Sequence, residues 1–293
     1  MERLERAYRA VIKHMLAVPD NTPSCSIYLV AGVFPAEAQR DLDIMGLLGQ
    51  IAACPSDLQN VTDIIHHNLL FYGDEFGGWS GLARETAAKY ALPDPAHYME
   101  HPWRPDRWRA HCRDTIANHW DTKLKEQAEL KSSLRFLDTD SLSIMKPAKI
   151  WSMAGLDSAE TKKTAVLNWM ILGVYKTREV LHKMKIIKSD LCAACSMNVP
   201  GSLPHYILYC PFVEDIRQLF FPKFLLNNPS LASLMDDETS IIISILDPES
   251  SLLPAEVHYK WRSSSEAYAL SRDYVYNIHR KFTKFYETFD IKK

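Results

Sequence analysis

"PDRWRAHCRDTIANHWDTKL" (105–124) sets the class of this chain. Trp108, Cys112, Ile116, Trp120 and Leu124 recur every fourth residue, which lines one side of an α-helix with apolar side chains. Pro105 stands where a helix opens, because its missing N–H would have no partner in the first turn. The same period continues on both sides. Leu4, Tyr8, Val11, Ile12, Met15 and Leu16 make an apolar face over 2–18, stopped by Pro19. Pro35 opens a helix in "GVFPAEAQRDLDIMGLLGQIAA", and residues 57–72 predict another. Asp157 and Glu160 form a capping box for a helix starting near Ser158. A short helix is expected through Phe221, another over 230–246, and a long aromatic-rich one from Pro254 to Phe289. "CSIYLV" (25–30) is strand-like in composition, although a buried helical turn fits it too. "GDEFGGWSG" (73–81) reads as a loop and "LPDPAHYMEHPWRP" (92–105) as a linker.

Composition agrees with a folded, helical protein. Of 293 residues, 47% are hydrophobic and only 10 are glycine, so a core of ordinary size can be buried. No apolar run is long enough to span a bilayer, and "MERLERAYRAVIKHML" lacks the apolar stretch of a secretion signal. An intracellular location, nucleus or cytoplasm, and no membrane partner are therefore expected. In that reducing setting a close pair of cysteines points to metal before disulfide. The net charge is −2, but charge comes in blocks. Residues 51–100 carry two Lys/Arg against seven Asp/Glu, and 224–257 carry none against six. Residues 151–223 carry nine against six, and the tail from 258 carries eight against four.

The basic middle block contains "LCAACSMNVPGSLPHYILYC" (191–210), with three of the six cysteines. Cys192 and Cys195 are separated by two residues, His205 follows after nine more, and Cys210 after four. Three thiolates and an imidazole are a tetrahedral donor set for one structural Zn2+, with no position left open for a substrate. A redox pair would need a βαβ setting that is absent, and cysteines used only as core residues are the plainer alternative. His205 and Cys210 are five apart, wider than one α-helical turn, and Pro211 predicts that the helix bends or ends there.

Three stretches in order resemble reverse transcriptases of non-LTR (LINE-type) retrotransposons, in the region after the catalytic palm. "MLAVPDNTPSCSIYLVAGVFPAEAQ" (15–39) is similar to the thumb-side segment of that family. "KYALPDPAHYMEHPWRPDRWR" (89–109) and "LKSSLRFLDTDSL" (130–142) resemble its connecting region. "IWSMAGLDSAETKKTAVLNWMILGVYKTREVLHKM" (150–184), the Cys/His segment and "HYILYCPFVEDIRQLF" (205–220) resemble its zinc-binding end. The likeness covers most of residues 1–221. It implies a mainly α protein in four parts: a thumb-like region (1–91), a linker with a long helix (92–150), a helix with the zinc knuckle (151–222), and a C-terminal helical extension (223–293). It also implies that Cys192, Cys195, His205 and Cys210 serve to hold template RNA or target DNA.

Catalysis is not expected. Polymerisation needs paired carboxylates holding two Mg2+ ions, and "LMDD", with Asp236 and Asp237, lies after the knuckle with no palm around it. Glu256 and Lys260 are too far apart for the nuclease pattern of relatives. The expected nucleic-acid contacts are Lys176, Arg178, Lys183, Lys185 and Lys188, which cluster just before the first metal ligand, with Tyr206 or Tyr209 stacking on an unpaired base. Arg280, Lys281 and Lys284 are a secondary basic candidate. The alternative is a helical protein whose zinc is purely architectural and whose surface binds another protein. His66–His67 read as a half-buried pair without a third ligand.

Overall fold

The computed structural model describes residues 1–54, 59–71, 78–152, 154, 157–234, 236–258 and 261–290. Among them the architecture is helical, with no strand ladder and two isolated bridges, Ser143 with Lys146 and Leu191 with Pro200. The helix predicted over 57–72 is present as α4, Gln59–Phe71; its predicted ends, and residues 73–77 of the predicted loop, lie outside the described residues.

The first half is built on α7, Pro105–Glu129. Its stripe faces inward as expected: Trp108, Cys112, Ile116, Trp120 and Leu124 are all buried. Two helices, α2 (Ser24–Ala31) and α3 (Ala36–Ala52), lie against it. The Trp108 indole N–H donates to the Met45 carbonyl at 2.7 Å, tying α7 to α3. The "CSIYLV" run is α2, and every residue from Cys25 to Val30 is buried. A helix buried on all sides has no polar face, so its period cannot be read. α1 (Glu2–Met15) packs on α2, and α5 (Trp79–Lys89) packs on α3.

The predicted linker contains a helix, α6 (Pro95–Glu100). Asp94 caps it by accepting from the amides of Ala96 and His97, at 2.9 and 3.1 Å. Pro95 sits where the missing N–H costs nothing. Tyr98 anchors it, stacked on Trp108 with ring centroids 3.9 Å apart. Prolines at 93, 95, 102 and 105 thus punctuate short elements instead of extending the chain.

The second half pairs α9 (Ser158–Ile171) with α14 (Ser264–Asp290), and α11 (Glu214–Asn227) crosses α14. Asp157 caps α9 by accepting from the amides of Ala159 and Glu160. Glu160, however, turns away to Lys163 (2.6 Å) and Arg272 (3.2 Å), because a guanidinium as buried as that of Arg272 needs a carboxylate. Between these lie α8 (Lys149–Ser152), α10 (Arg178–Lys183), α12 (Glu238–Leu246) and α13 (Ala255–His258).

Three boundaries differ from expectation. α11 runs through Pro222 to Asn227 instead of ending at Phe221; Phe220 and Phe224 both pack on Tyr274, holding the helix across the proline. The run predicted over 230–246 divides into a 3-10 stretch, Pro229–Leu234, and α12. The predicted 254–289 helix divides into α13 and α14. Asp237 accounts for part of this by capping α12, accepting from the amides of Thr239 and Ser240.

One hydrophobic cluster runs from Ile12 to Phe282. Backbone closeness helps to join the halves. Gly32 follows α2 at φ +67°, where an added Cβ would stand 2.1 Å from the Lys146 carbonyl carbon. Gly173 follows α9 at φ +64°, where a Cβ would meet the Ser133 oxygen at 2.0 Å. Only glycine fits either place. Asp138 is buried and accepts from the amide and hydroxyl of Ser251, at 2.6 and 2.9 Å. A second buried carboxylate, Asp41, accepts from Lys89 (2.8 Å), Tyr90 (2.8 Å) and Arg40.

Candidate metal centre

Between α9 and α11 the chain forms a compact irregular segment that brings Cys192, Cys195, His205 and Cys210 together. One donor atom from each lies within 4.8 Å of every other. The segment starts with α10, capped by the Thr177 hydroxyl, which accepts from the Val180 amide. After α10 the backbone reverses at Lys185, φ +59°. The Arg178 guanidinium then reaches across to the Ser189 carbonyl at 3.0 Å.

Two strands too short to form a ladder pinch the loop shut. The amide of Gly201 donates to Asp190 O at 2.7 Å, and that of Cys192 to Val199 O at 2.9 Å. Asn198 turns the chain between them at φ +53°, a conformation asparagine tolerates better than most residues. This closure sets Cys192 and Cys195 on one side of the turn. Pro204 then starts a π-turn, His205–Tyr209. Its closing bond runs from the Cys210 amide to the His205 carbonyl, 2.7 Å. A turn with i→i+5 bonding is one residue wider than an α-turn. That width stacks His205 above Cys210, so the five-residue spacing that looked awkward in sequence is what aligns the two ligands.

The Cys192 and Cys210 sulfurs are 3.9 Å apart, and Cys195 Sγ is 3.4 Å from His205 Nε2. Cys192, His205 and Cys210 are buried and Cys195 is partly exposed. The Cys210 thiol beside it pulls the Cys192 pKa down against the opposing effect of burial, and the same interaction pushes Cys210 up. These four side chains could hold a metal ion, and they are the set expected from sequence.

The wall behind the site comes from residues the sequence did not single out. Arg217 is buried and donates to the Cys210 carbonyl at 2.7 Å. Tyr274 of α14 donates to the Ile207 carbonyl at 2.5 Å, inside the π-turn. No local spacing connects them to the ligands, so only the packing of α11 and α14 reveals their role.

Tyr206 requires a correction. It is 1% exposed, its ring stacks on Phe282 with centroids 3.9 Å apart, and its hydroxyl meets that of Tyr286 at 2.9 Å. It is a member of the aromatic core beneath the π-turn and has no face free for a base. Tyr209 is half exposed. Among the basic residues, Lys176, Lys183, Lys185 and Lys188 are exposed, whereas Arg178 is half-buried and engaged with Ser189. Lys183 pairs with Glu179 at 2.6 Å, and Lys281 pairs with Asp215 at 2.6 Å. No family model, no curated protein and no solved structure matches this chain.

Proposed function

We propose that this chain is a non-catalytic nucleic-acid-binding module stabilised by one structural zinc, akin to the C-terminal end of non-LTR retrotransposon reverse transcriptases. Zinc suits the donor set. Zn–S bonds of about 2.3 Å and Zn–N bonds of about 2.0–2.1 Å give tetrahedral edges of about 3.8 and 3.5 Å. The observed separations of 3.9 and 3.4 Å are close to those edges. Four protein ligands fill the coordination sphere, so the ion would brace the fold and do no chemistry. The aspartate pair resembling a polymerase box supports the non-catalytic reading, since Asp237 is engaged as a helix cap.

The observation that carries the proposal is the exposure of Lys185 and Lys188 on the reversal that enters the knuckle, with Lys176 and Lys183 exposed on the approach. A braced turn presents such cations to a phosphate backbone without an ordering cost at binding. Half-exposed Tyr209 takes the stacking role expected of Tyr206. The partner is RNA or DNA, single-stranded or a target duplex. The test is binding of the zinc-loaded chain to labelled single-stranded RNA and DNA at low and moderate salt. Binding that weakens steeply with salt is expected; no binding to either strand at low salt would sink the proposal.

A second reading has its own support. Met184, Ile186, Leu191 and Met197 around the knuckle are each at least 40% exposed, and apolar side chains of that kind suit a protein partner. On that reading the zinc is purely architectural.

A further inference from the structure

The His66–His67 pair on α4 has neighbours that sequence spacing conceals. α6 packs against α4. His97 and Glu100 lie on α6, and His101 ends it. Positions i, i+3 and i+4 of a helix share one side, and the three side chains are exposed there. One donor atom from each lies within 4.8 Å of the other two. The imidazole centroids are 5.1 Å apart, with the rings inclined at 75°. His66 approaches from α4, its Nε2 3.7 Å from Glu100 Oε1. That nitrogen is shielded from solvent and has no hydrogen-bond partner among the described residues.

The platform beneath is firm, because Tyr98, between His97 and Glu100, is buried on Trp108. The carbonyl end of a helix, where these groups sit, favours a cation. Two imidazoles and a carboxylate are a donor set for borderline divalent transition metals, not for Mg2+ or Ca2+.

We propose that His97, Glu100 and His101 form a second metal site, for Zn2+ or a similar divalent transition metal, with His66 as a positioning residue that holds the Glu100 carboxylate. Unlike the Cys/His knuckle it has three protein ligands, which leaves room for water or a ligand at the metal. It stands independently of the nucleic-acid proposal. Metal here would also clamp α6 to α4 through the Glu100–His66 contact, a link from metal ligand to outer partner of the kind that orients such sites.

The test starts from the full chain carrying one Zn2+ in the knuckle, titrated with further Zn2+ by calorimetry while histidine ring signals are followed by NMR. One further equivalent should bind, moving the signals of His97 and His101. His97→Ala and His101→Ala should each abolish it, whereas the exposed control His14→Ala should keep it. His66→Ala should weaken it by about tenfold, the usual scale for an outer partner. Absence of a second equivalent, or its retention in both His97→Ala and His101→Ala, overturns the site. Unchanged affinity in His66→Ala overturns the role given to His66.

Discussion

The amide of Cys210 donates to the carbonyl of His205 at 2.7 Å, spanning five residues where an α-helix spans four. Two metal ligands are aligned by that single wider turn. Inserting one alanine between Tyr209 and Cys210 should carry the cysteine about 100° further round the helix axis and swing it out of register with His205. The variant should carry far less than one zinc by elemental analysis, as should Cys195→Ser. Both should also melt at lower temperature, because metal-binding free energy is folding free energy in such sites. Full zinc content in the insertion variant would show that the π-turn is dispensable.

The Asp41–Lys89 pair predicts how stability depends on pH. Burial alone would raise the pKa of Asp41, but hydrogen bonds from Lys89, Arg40 and Tyr90 overcome it and hold the carboxyl below its ordinary range. Lys89 is shifted upward: burial opposes its charge, but Asp41 and Glu37 outweigh it. A depressed carboxyl contributes stability above its unfolded pKa and loses it as pH falls through the folded one. A raised lysine contributes below its unfolded pKa and loses it as pH climbs through its folded value. Stability from this pair should therefore be flat around neutrality and decline at both extremes. Asp41→Asn should cost about 3 kcal/mol at neutral pH and flatten the acid limb in urea titrations followed from pH 7 to 3.

For the basic turn, the double substitution Lys185→Ala with Lys188→Ala should weaken RNA or DNA binding while leaving zinc content at one. Each lost phosphate contact lowers the salt slope by about 0.7–0.9, so the pair should reduce it by about 1.5. Anisotropy titrations between low and moderate salt would read this directly, and an unchanged slope would place the contacts elsewhere.

Tyr206 should behave as a core residue. Tyr206→Phe keeps the stack on Phe282 and loses only the hydroxyl contact with Tyr286, a cost of about 1 kcal/mol. Tyr206→Ala should cost about 3–5 kcal/mol by leaving a cavity. Nucleic-acid affinity of Tyr206→Phe should equal that of the parent, whereas Tyr209→Ala should bind more weakly.

What could be read from sequence follows from where the signal is stored. The Trp108–Leu124 stripe and the Cys192, Cys195, His205, Cys210 set are local patterns, and both appear in the structure as expected. α2 was ambiguous because burial on all sides erases periodicity, and α6 was hidden because its prolines look like linker chemistry. Asp41 sits in "QRDLD" like any solvated acid; its partners Lys89 and Tyr90 arrive on another helix. Tyr206 looked available because it neighbours a ligand, but its burial comes from Phe282 and Tyr286 of α14, nearly eighty positions away. His66 was set aside for the same reason, since Glu100 reaches it only once α4 and α6 pack.

Tyr274 donates into the π-turn, Tyr286 meets the hydroxyl beneath it, and Ser251 supplies two hydrogen bonds to buried Asp138. All three belong to the last seventy or so residues, which follow the knuckle in the chain. Trimming the chain just after the knuckle would take two hydrogen bonds from buried Asp138 and strip the scaffolding from the turn that carries His205 and Cys210. Anyone preparing a minimal fragment of this protein for study should therefore keep the C-terminal helices, because the knuckle cannot be excised intact without them.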